Sequence, residues 1–219
     1  MQGRGEIMRD GILRKGIYCI LGESFSRGRS NIDVAREMIE ADIKIIQYRE
    51  KEKKALYKFR ECMRISEMAK AAGVLFIVND DLDIALAVDA DGVHIGQEDL
   101  PIEVVRRLAG ENMIIGLSTH SPEQGRDAVV RGADYIGVGP IFRTFTKKDV
   151  CDPVGLEYLD FVVRNLDIPF VAIGGIKESN IAEVIEHGAT CICLVTDILE
   201  SEDIKGKIRF LQEKMVAGR

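Results

Sequence analysis

The chain has 219 residues, of which 46% are hydrophobic and 30% charged, a size and composition typical of one globular domain as large as an α/β barrel. Thirty basic against 36 acidic residues give a net charge of −6, which excludes an overall positive field that would attract nucleic acid or an anionic membrane. The five cysteines are odd in number and form no C-x-x-C pair, which argues against a disulfide framework or a zinc site and favours a reducing cytoplasm.

The N-terminal segment, residues 1–15, contains basic residues but lacks the apolar run of a signal peptide. No later apolar run approaches the roughly 20 residues that cross a membrane. We therefore expect a cytoplasmic protein that is neither secreted nor embedded in a membrane. Residues 1–15 are predicted to form an N-terminal extension, and residues 16–219 a single catalytic domain.

Apolar, β-branched-rich runs alternate with amphipathic stretches eight times, with no linker between them. The predicted strands are residues 16–21, 43–48, 74–78, 92–95, 113–117, 135–138, 170–173 and 191–195. The predicted helices are residues 32–39, 56–71, 81–88, 102–108, 122–131, 156–165, 181–187 and 204–215. This rhythm predicts a parallel α/β sheet, and eight units favour a closed (β/α)8 TIM barrel in one domain. An open, doubly wound sheet is the lesser alternative, because it usually has about five or six strands.

Two helix starts carry capping signals. Ser121, followed by Pro122 and Gln124, predicts a capping box with proline in the first helical position, and Asn180 before Glu183 is a weaker example. In a barrel, the polar residues that matter for function follow the carboxyl ends of the strands, just before these helices.

Strand 2 continues into a basic segment. Period-2 alternation puts Gln47, Arg49 and Lys51 on one face at the barrel mouth, where a planar guanidinium and a point charge suit a diphosphate. The alternative is a solvated strand end, whose charges pair with Glu50 and Glu52.

Strands 3 and 4 end in acidic residues. Asn79-Asp80-Asp81 follows strand 3, and Asp99 lies in the loop after strand 4. Mg2+ uses few protein carboxylates and completes its shell with water and substrate phosphate, so one aspartate from each loop is a sensible supply. The alternative is that each aspartate is a helix N-cap.

Strand 5 ends in Ser118-Thr119-His120. Because Ser121 already supplies the cap, the two hydroxyls have no predicted structural task and are expected to face a ligand. His120 is a minor candidate for a general acid or base, against the alternative of a hydrogen-bonded structural residue.

The strand 6 loop, residues 139–149, is rich in donors and long enough to act as a lid, or else is a charged soluble loop. Gly174-Gly175 after strand 7 and the end of strand 8 predict a backbone phosphate cradle, against the alternative of a tight turn. Cys191 and Cys193 share one face of strand 8 and are interpreted as buried thiols.

Taken together, these segments resemble thiamine phosphate synthases, in order and spacing, from residue 16 to about residue 198. The matching segments are Gln47-Tyr48-Arg49-Glu50-Lys51, Asn79-Asp80, Ala90-Asp91-Gly92-Val93-His94-Ile95-Gly96-Gln97-Glu98-Asp99, Ser118-Thr119-His120, Gly137-Val138-Gly139-Pro140-Ile141-Phe142, Thr144-Phe145-Thr146-Lys147-Lys148 and Ala172-Ile173-Gly174-Gly175-Ile176.

The resemblance implies a Mg2+-dependent transferase that joins 4-amino-2-methyl-5-hydroxymethylpyrimidine diphosphate to a thiazole or carboxythiazole phosphate and releases pyrophosphate. Arg49, Lys51 and Lys147 would be catalytic, and Asp80 and Asp99 would bind the metal. The residues that would bind the pyrimidine diphosphate are Gln47, Tyr48, Arg49, Glu50, Lys51, Asn79, Ser118 and Lys147. Those that would bind the thiazole phosphate are Thr144, Phe145, Thr146, Gly175, Val195 and Thr196.

The chain departs from the family pattern at a few positions. The family often has Leu at Tyr48, Arg at Asp81, Pro at Arg143 and Phe145, and Ser at Thr196. Asp81 adds negative charge beside the expected metal site, and Phe145 changes the expected lid.

Two other functions are weighed against the synthase. A thiazole tautomerase would use the same barrel, and His120 for proton transfer, without a diphosphate or metal. A non-catalytic phosphate-binding paralogue would have lost the site's charges. The charges of strands 2 to 4 and Lys147 argue against both. The expected partners are small-molecule substrates, with no nucleic acid and no membrane, and a homo-oligomer is left open.

Overall fold

The computed structural model describes residues 11, 13–146 and 151–217 of the chain. Eight parallel strands close into a barrel in sequence order, and the last strand pairs with the first. The strands are β1 (Gly16–Leu21), β2 (Ile45–Tyr48), β3 (Leu75–Asn79), β4 (Gly92–Ile95), β5 (Ile114–Thr119), β6 (Tyr135–Val138), β7 (Phe170–Ile173) and β8 (Cys191–Cys193). The predicted (β/α)8 barrel is confirmed, and the open sheet is excluded.

Helices follow the strands and form the outer layer. They are α1 (Asn31–Glu40), α2 (Ala55–Ala72), α3 (Leu82–Ala87), α4 (Ile102–Ala109), α5 (Pro122–Val130), α6 (Gly155–Asn165), α7 (Ile181–Glu186), α8 (Thr196–Leu199) and α9 (Ile204–Ala217), with a 3-10 turn at Glu23–Phe25. None of the helices in the described parts of the chain combines the length and apolar character that a membrane crossing requires.

The short helix α8 differs from the sequence prediction, which extended strand 8 to residue 195. The strand ends at Cys193, and Val195 has helical torsions, with φ −85° and ψ −76°. A β-branched residue directly after a buried strand favours an extended interpretation, and four helical residues are too few to display a helical period. The chain therefore turns into the mouth of the barrel earlier than expected.

The barrel interior is a closed apolar cluster, separate from the layer between strands and helices. Apart from Leu13, its members come from alternate positions of the strands: Leu13, Tyr18, Ile20, Ile45, Leu75, Ile77, Ile114, Tyr135, Val171, Cys191 and Cys193. Leu13 precedes β1 and is fully buried, so it closes the floor of the barrel opposite the mouth. The predicted burial of Cys191 and Cys193 is confirmed.

The two predicted capping signals behave differently. Ser121 Oγ accepts from the backbone N–H of Gln124 at 3.3 Å, which confirms the N-cap of α5. Asn180 precedes α7 but makes no capping bond to that helix. Its amide instead accepts from the N–H of Lys177 and donates to the carbonyl of Gly175 at 3.1 Å, so it supports the glycine loop after β7.

Candidate active site

Two basic residues follow β2 at the mouth of the barrel. Lys51 forms an ion pair with Asp80, which follows β3. The Arg49 Nε is buried and has no hydrogen-bond partner among the described residues. Burial lowers the pKa of Arg49, and the nearby charges of Asp80 and Glu50 only partly oppose that shift. The mouth therefore holds a guanidinium without a full set of partners, which suits an incoming anion.

Asp80 occupies a strained position between β3 and α3. Its φ is +62°, a left-handed value that is uncommon for a residue other than glycine. Its backbone N–H donates to the carbonyl of His94 at 2.9 Å, which ties the end of β3 to β4. Such strain persists where the surroundings over-determine the geometry, often at functional sites. Asn79, the last residue of β3, is half-buried beside it.

Asp81 does not add a free negative charge to this region. Its Oδ2 lies 2.7 Å from the Nζ of Lys58, which projects from α2 and is itself buried. The carboxylate of Asp81 makes no capping bond at the start of α3. The extra negative charge of Asp81, where the family often has arginine, is thus neutralised by a lysine from the neighbouring helix.

Asp99 lies in the exposed loop after β4. Its Oδ2 accepts from the backbone N–H of Gly96 at 2.7 Å, which fixes the turn. In the same loop, the amide of Gln97 donates to the carbonyl of Ser118 at 2.7 Å and links the loop to β5. Asp80 and Asp99 therefore follow two neighbouring strands. Among the described residues, no group of three or more acidic, histidine or cysteine side chains forms a metal cage.

Gln47 and Ser118 are the two ends of a buried hydrogen-bond chain across the barrel. The Nε2 of Gln47 donates to the hydroxyl of Tyr18 at 2.9 Å, and that hydroxyl lies 2.8 Å from the hydroxyl of Tyr135. The Tyr135 hydroxyl is 2.9 Å from His94 Nδ1, and His94 Nε2 is 2.9 Å from Ser118 Oγ. Side chains from five strands thus converge beneath the mouth.

Tyr48 and Glu50 face away from this chain, because successive residues of a strand alternate. The hydroxyl of Tyr48 donates to Glu61 of α2 at 2.7 Å. The carboxylate of Glu50 accepts from the amide of Asn31 at 2.8 Å and from the N–H of Glu23 at 2.7 Å. The structure does not bring these two side chains together with Arg49 and Lys51, so they would reach a substrate only through their backbone.

The expectation that Thr119 has no structural task is wrong. Its side chain is fully buried and donates to the carbonyl of Gly137 at 2.9 Å, and it accepts from the hydroxyl of Tyr158 at 2.7 Å. Thr119 faces the helices because it alternates with Ser118. His120 Nδ1 contacts the carbonyl of Gly139 at 2.5 Å, which is the hydrogen-bonded structural alternative.

The loops after β6 and β7 are joined backbone to backbone. The N–H of Ile141 donates to the carbonyl of Ile173, and that of Phe142 to the carbonyl of Gly174, each at 2.9 Å. Gly175 has φ +67°, and a Cβ there would lie 2.7 Å from the carbonyl oxygen of Phe142. Only glycine satisfies both conditions. This pairing holds the strand 6 loop at the mouth of the barrel.

The residues expected to bind the thiazole phosphate lie around this junction. Thr144 and Thr146 are half-buried, and their hydroxyls are 2.9 Å apart. Phe145 between them is 86% exposed, with the guanidinium of Arg143 5.9 Å from its ring. Val195 is the N-cap and Thr196 the first residue of α8, which follows β8, the strand that pairs with β7. Lys147 lies outside the described residues.

Sequence reasoning missed Tyr18, Tyr135 and His94 as parts of the site. A signal was present for His94: it stands between Gly92 and Gly96 on the inward face of β4, where a large polar ring is unusual. Tyr18 and Tyr135 lie within apolar runs and gave no polar signal of their own.

Three comparisons with known proteins agree with this geometry. A family model described as thiamine monophosphate synthase matches residues 17–198. The "Thiamine-phosphate synthase" of Pelotomaculum thermopropionicum is 65% identical over 92% of this chain and 93% of that protein, and the one of Lawsonia intracellularis is 51% identical over 91% and 92%. A solved structure, "Thiamine phosphate pyrophosphorylase from Pyrococcus furiosus", superposes with a TM-score of 0.86 at 33% identity, covering 96% of this chain and 98% of that one.

The match begins one residue inside β1 and ends within α8, so it spans every strand and every loop of the mouth. The resemblance inferred from the strand-end motifs is confirmed, and with it the expectation of a transferase of thiamine biosynthesis. On both the shape of the barrel and the identity along it, the chain belongs to the thiamine monophosphate synthase family.

Proposed function

We propose that this barrel joins 4-amino-2-methyl-5-hydroxymethylpyrimidine diphosphate to a thiazole or carboxythiazole phosphate and releases pyrophosphate. The observation that carries the proposal is the cationic mouth formed by Arg49 and Lys51, in which Arg49 Nε is buried without a partner among the described residues. A buried donor of this kind is costly unless a ligand completes it, and a diphosphate oxygen is the matching acceptor.

In the proposed reaction, the bond between the pyrimidine methylene carbon and the diphosphate oxygen breaks, and the oxygen keeps the electron pair. The thiazole nitrogen then gives its lone pair to that carbon, and with the thiazole phosphate the new C–N bond completes the product without a net proton transfer. With the carboxythiazole phosphate, the ring carbon also loses CO2, keeps the electron pair of that C–C bond and takes up one proton from solvent. Arg49, Lys51 and Lys147 stabilise the charge that accumulates on the departing diphosphate. The chain supplies position and electrostatics, with no covalent nucleophile.

Asp80 and Asp99 would hold Mg2+. Their hard oxygen donors fit this ion, and two carboxylates from neighbouring loops are a typical protein share of its shell. The pairing of Asp80 with the ammonium of Lys51 supports the fit, because this carboxylate already accepts a cation at the mouth. Bound there, Mg2+ would supply further charge neutralisation for the diphosphate.

The thiazole phosphate is proposed to bind where the loops after β6, β7 and β8 meet. The hydroxyls of Thr144 and Thr146 supply donors, and the close backbone approach at Gly175 holds the strand 6 loop that carries them beside the end of β7. Val195 and Thr196 add the backbone N–H groups at the start of α8. Phe145, largely exposed, is proposed to cover the site as the loop closes.

The tautomerase alternative gains no support from His120, because its Nδ1 contacts the carbonyl of Gly139. The paired charges at the mouth likewise disfavour a non-catalytic paralogue. A cytoplasmic location and the absence of nucleic-acid partners belong to the same proposal. Its support is the acidic overall charge and the small-molecule chemistry of the site.

The test is direct. The purified protein is mixed with both substrates and Mg2+, and pyrophosphate and thiamine phosphate are measured. Asp80→Asn and Lys147→Ala should each lower kcat at least about a hundredfold, because the first removes a ligand of the proposed Mg2+ and the second removes a positive charge beside the departing diphosphate. Asp83→Asn, an exposed change in the first turn of α3, is the control and should match wild type. Near wild-type turnover by folded Asp80→Asn would contradict the metal assignment, and tautomerisation alone would contradict the function.

A further inference from the structure

The hydrogen-bond chain from Gln47 to Ser118 has a direction that follows from the Gln47 amide nitrogen facing Tyr18. An amide nitrogen can only donate, so the Tyr18 oxygen accepts from Gln47. Tyr18 has one proton of its own, and its other partner among the described residues is the hydroxyl of Tyr135. Because Tyr18 is buried, leaving that proton unbonded would be costly. Tyr18 therefore donates to Tyr135.

The hydrogen bond from Tyr135 fixes the tautomer of His94. Tyr135 accepts from Tyr18 and is fully buried, so its single proton goes to His94 Nδ1 at 2.9 Å. An imidazole that accepts at Nδ1 and is neutral carries its proton on Nε2. An imidazolium would present a second donor to a hydroxyl that already donates. His94 Nε2 therefore donates to Ser118 Oγ, and the hydroxyl proton of Ser118 is left for the mouth.

The fold makes room for this chain by removing one side chain. Gly116 of β5 is in register with His94 on one side and with Tyr135 on the other. A Cβ on Gly116 would lie 2.2 Å from Tyr135 Cζ and 2.5 Å from His94 Nδ1. The tyrosine and the histidine can thus bond across an intervening strand. Burial raises the pKa of both tyrosines, so both hydroxyls keep their protons.

We propose that Tyr18, Tyr135 and His94 are positioning residues that fix the polarity of Gln47 and Ser118 in the pyrimidine site. Gln47 then presents its carbonyl oxygen as an acceptor, and Ser118 presents its hydroxyl as a donor. A ligand must offer an amino group to the first and a ring nitrogen lone pair to the second, which is the pattern of an aminopyrimidine. This specificity rests on the proposed function, whereas the direction of the hydrogen bonds between Gln47 and Ser118 can be measured in the free protein.

The direction is tested by long-range 1H–15N NMR of protein labelled with 15N-histidine, which distinguishes the two neutral tautomers. The protein has three histidines, so the spectrum of the His94→Gln variant identifies which signals belong to His94. His94 should be in the Nε2–H form. Tyr135→Phe, which removes the donor to Nδ1, should shift the Nδ1 resonance and mix the tautomers.

The matched control is Tyr158→Phe. It deletes another buried tyrosine hydroxyl, which donates to Thr119 and is not part of the hydrogen-bond chain from Gln47 to Ser118. This variant should leave the His94 spectrum unchanged. An Nδ1–H form, a tautomer mixture or an imidazolium in the wild-type protein would overturn the proposal. So would a His94 signal that does not respond to Tyr135→Phe in a folded variant.

Specificity is tested by equilibrium binding, without the thiazole substrate, of the 4-aminopyrimidine diphosphate and its 4-oxo analogue. Wild type should prefer the amino compound by about tenfold or more, because the oxo group faces another acceptor. In Tyr18→Phe, the Gln47 amide is released and can turn, so the preference should fall to within about threefold. Tyr158→Phe should keep it. An unchanged preference in Tyr18→Phe would overturn the positioning role. Failure of wild type to bind either compound, with His94 still in the Nε2–H form, would contradict the proposed function and support the direction.

Discussion

Arg49 is the residue at which function and stability oppose each other. Its Nε is buried without a partner among the described residues, and burial lowers its pKa, so the folded protein holds this charge at a cost. The charge of Asp80, which acts on Arg49, is also paired with Lys51. An active site often keeps such an unsatisfied group because the substrate completes it.

Arg49→Met should therefore abolish turnover, by more than about a hundredfold, and raise the free energy of unfolding by about 1 kcal/mol in the absence of substrate. Activity assays and urea unfolding measure the two effects. Arg106→Met is the matched control, because Arg106 pairs with Asp134 at 2.7 Å and donates to two backbone carbonyls. That change should lower stability. A loss of stability in Arg49→Met as well would contradict the reasoning.

At the same scale, the sequence predicted residue types better than contacts. Period-2 alternation separated Gln47 and Arg49 from Tyr48 correctly, yet the resemblance placed all three with the substrate. The partner of Asp81 could not be predicted, because Lys58 lies 23 positions earlier on another helix. The Thr119 expectation was wrong for a related reason: its partner Tyr158 is 39 residues away. Contacts of this kind are made by packing, which no local pattern records.

Among the elements, β2 is anchored from behind by a polar cluster on α1 and α2. Glu61 accepts from Tyr48, Asn31 and Lys53. Burial alone would raise the pKa of Glu61, but these hydrogen bonds outweigh it and hold the pKa below its usual value. We infer that the cluster fixes the position of the end of β2 along the barrel axis, and therefore the position of Arg49 at the mouth.

The sign of this shift predicts a dependence on acid. A carboxylate whose pKa is lowered by folding contributes stability above its unfolded pKa of about 4.3, and that contribution is lost as the pH falls through the folded pKa. Glu61→Gln should therefore be less stable at pH 7 and lose less stability than wild type below about pH 4.3. Urea unfolding at several pH values measures this. Glu67→Gln, an exposed change on the same helix, should follow wild type. Parallel curves for wild type and Glu61→Gln would contradict the prediction.

The junction of the loops after β6 and β7 gives a second prediction at this scale. Gly175→Ala would put a Cβ 2.6 Å from the carbonyl oxygen of Arg143, at a backbone φ of +67°. The strand 6 loop must move, so KM for the thiazole phosphate should rise about tenfold or more, with a smaller change for the pyrimidine diphosphate.

Its control is Gly132→Ala, between α5 and β6. Gly132 has φ +83° but nothing within 4 Å of an added Cβ, so the variant carries the strain without the collision. It should lose about 1 kcal/mol of stability and keep both KM values. Equal KM changes in the two variants would show that strain, and not loop displacement, is responsible.

The elements show what periodicity can and cannot predict. Every strand was found, because buried parallel strands are continuous apolar runs between turn residues. The helix α8 was missed because four residues show no period, and Val195 favours a strand. The hydrogen-bond chain was not predicted because it joins five strands. Each strand contributes only one polar side chain to it, and a single polar side chain in a strand gives no sequence signal of partners on other strands.

At the scale of the whole molecule, the barrel divides stability from function between its two ends. Arg49 and Asp80 lie at the carboxyl ends of the strands, and Leu13 closes the opposite end. Thr190 donates to the carbonyl of Arg14 at 2.6 Å and holds the segment before β1 against the floor. Part of the expected N-terminal extension thus belongs to the packed barrel.

Leu13→Ala should lower the free energy of unfolding by about 3 kcal/mol, because it opens a cavity in an enclosed floor. The KM values should be unchanged, since the mouth lies at the other end. Thermal unfolding and steady-state kinetics measure both. Leu108→Ala, at a position that is 55% exposed, should cost less than about 0.5 kcal/mol. A large change in either KM for Leu13→Ala would contradict the separation of the two ends.

The glycine at position 116 has an evolutionary consequence. Because its missing side chain lets Tyr135 and His94 meet across β5, the three positions can change only together. A relative that gains even an alanine at this position must give up one of the two rings, and with it the proton order that reaches Gln47 and Ser118. Such a relative should show altered preference among pyrimidines, so we expect glycine at this position in relatives that bind the same pyrimidine.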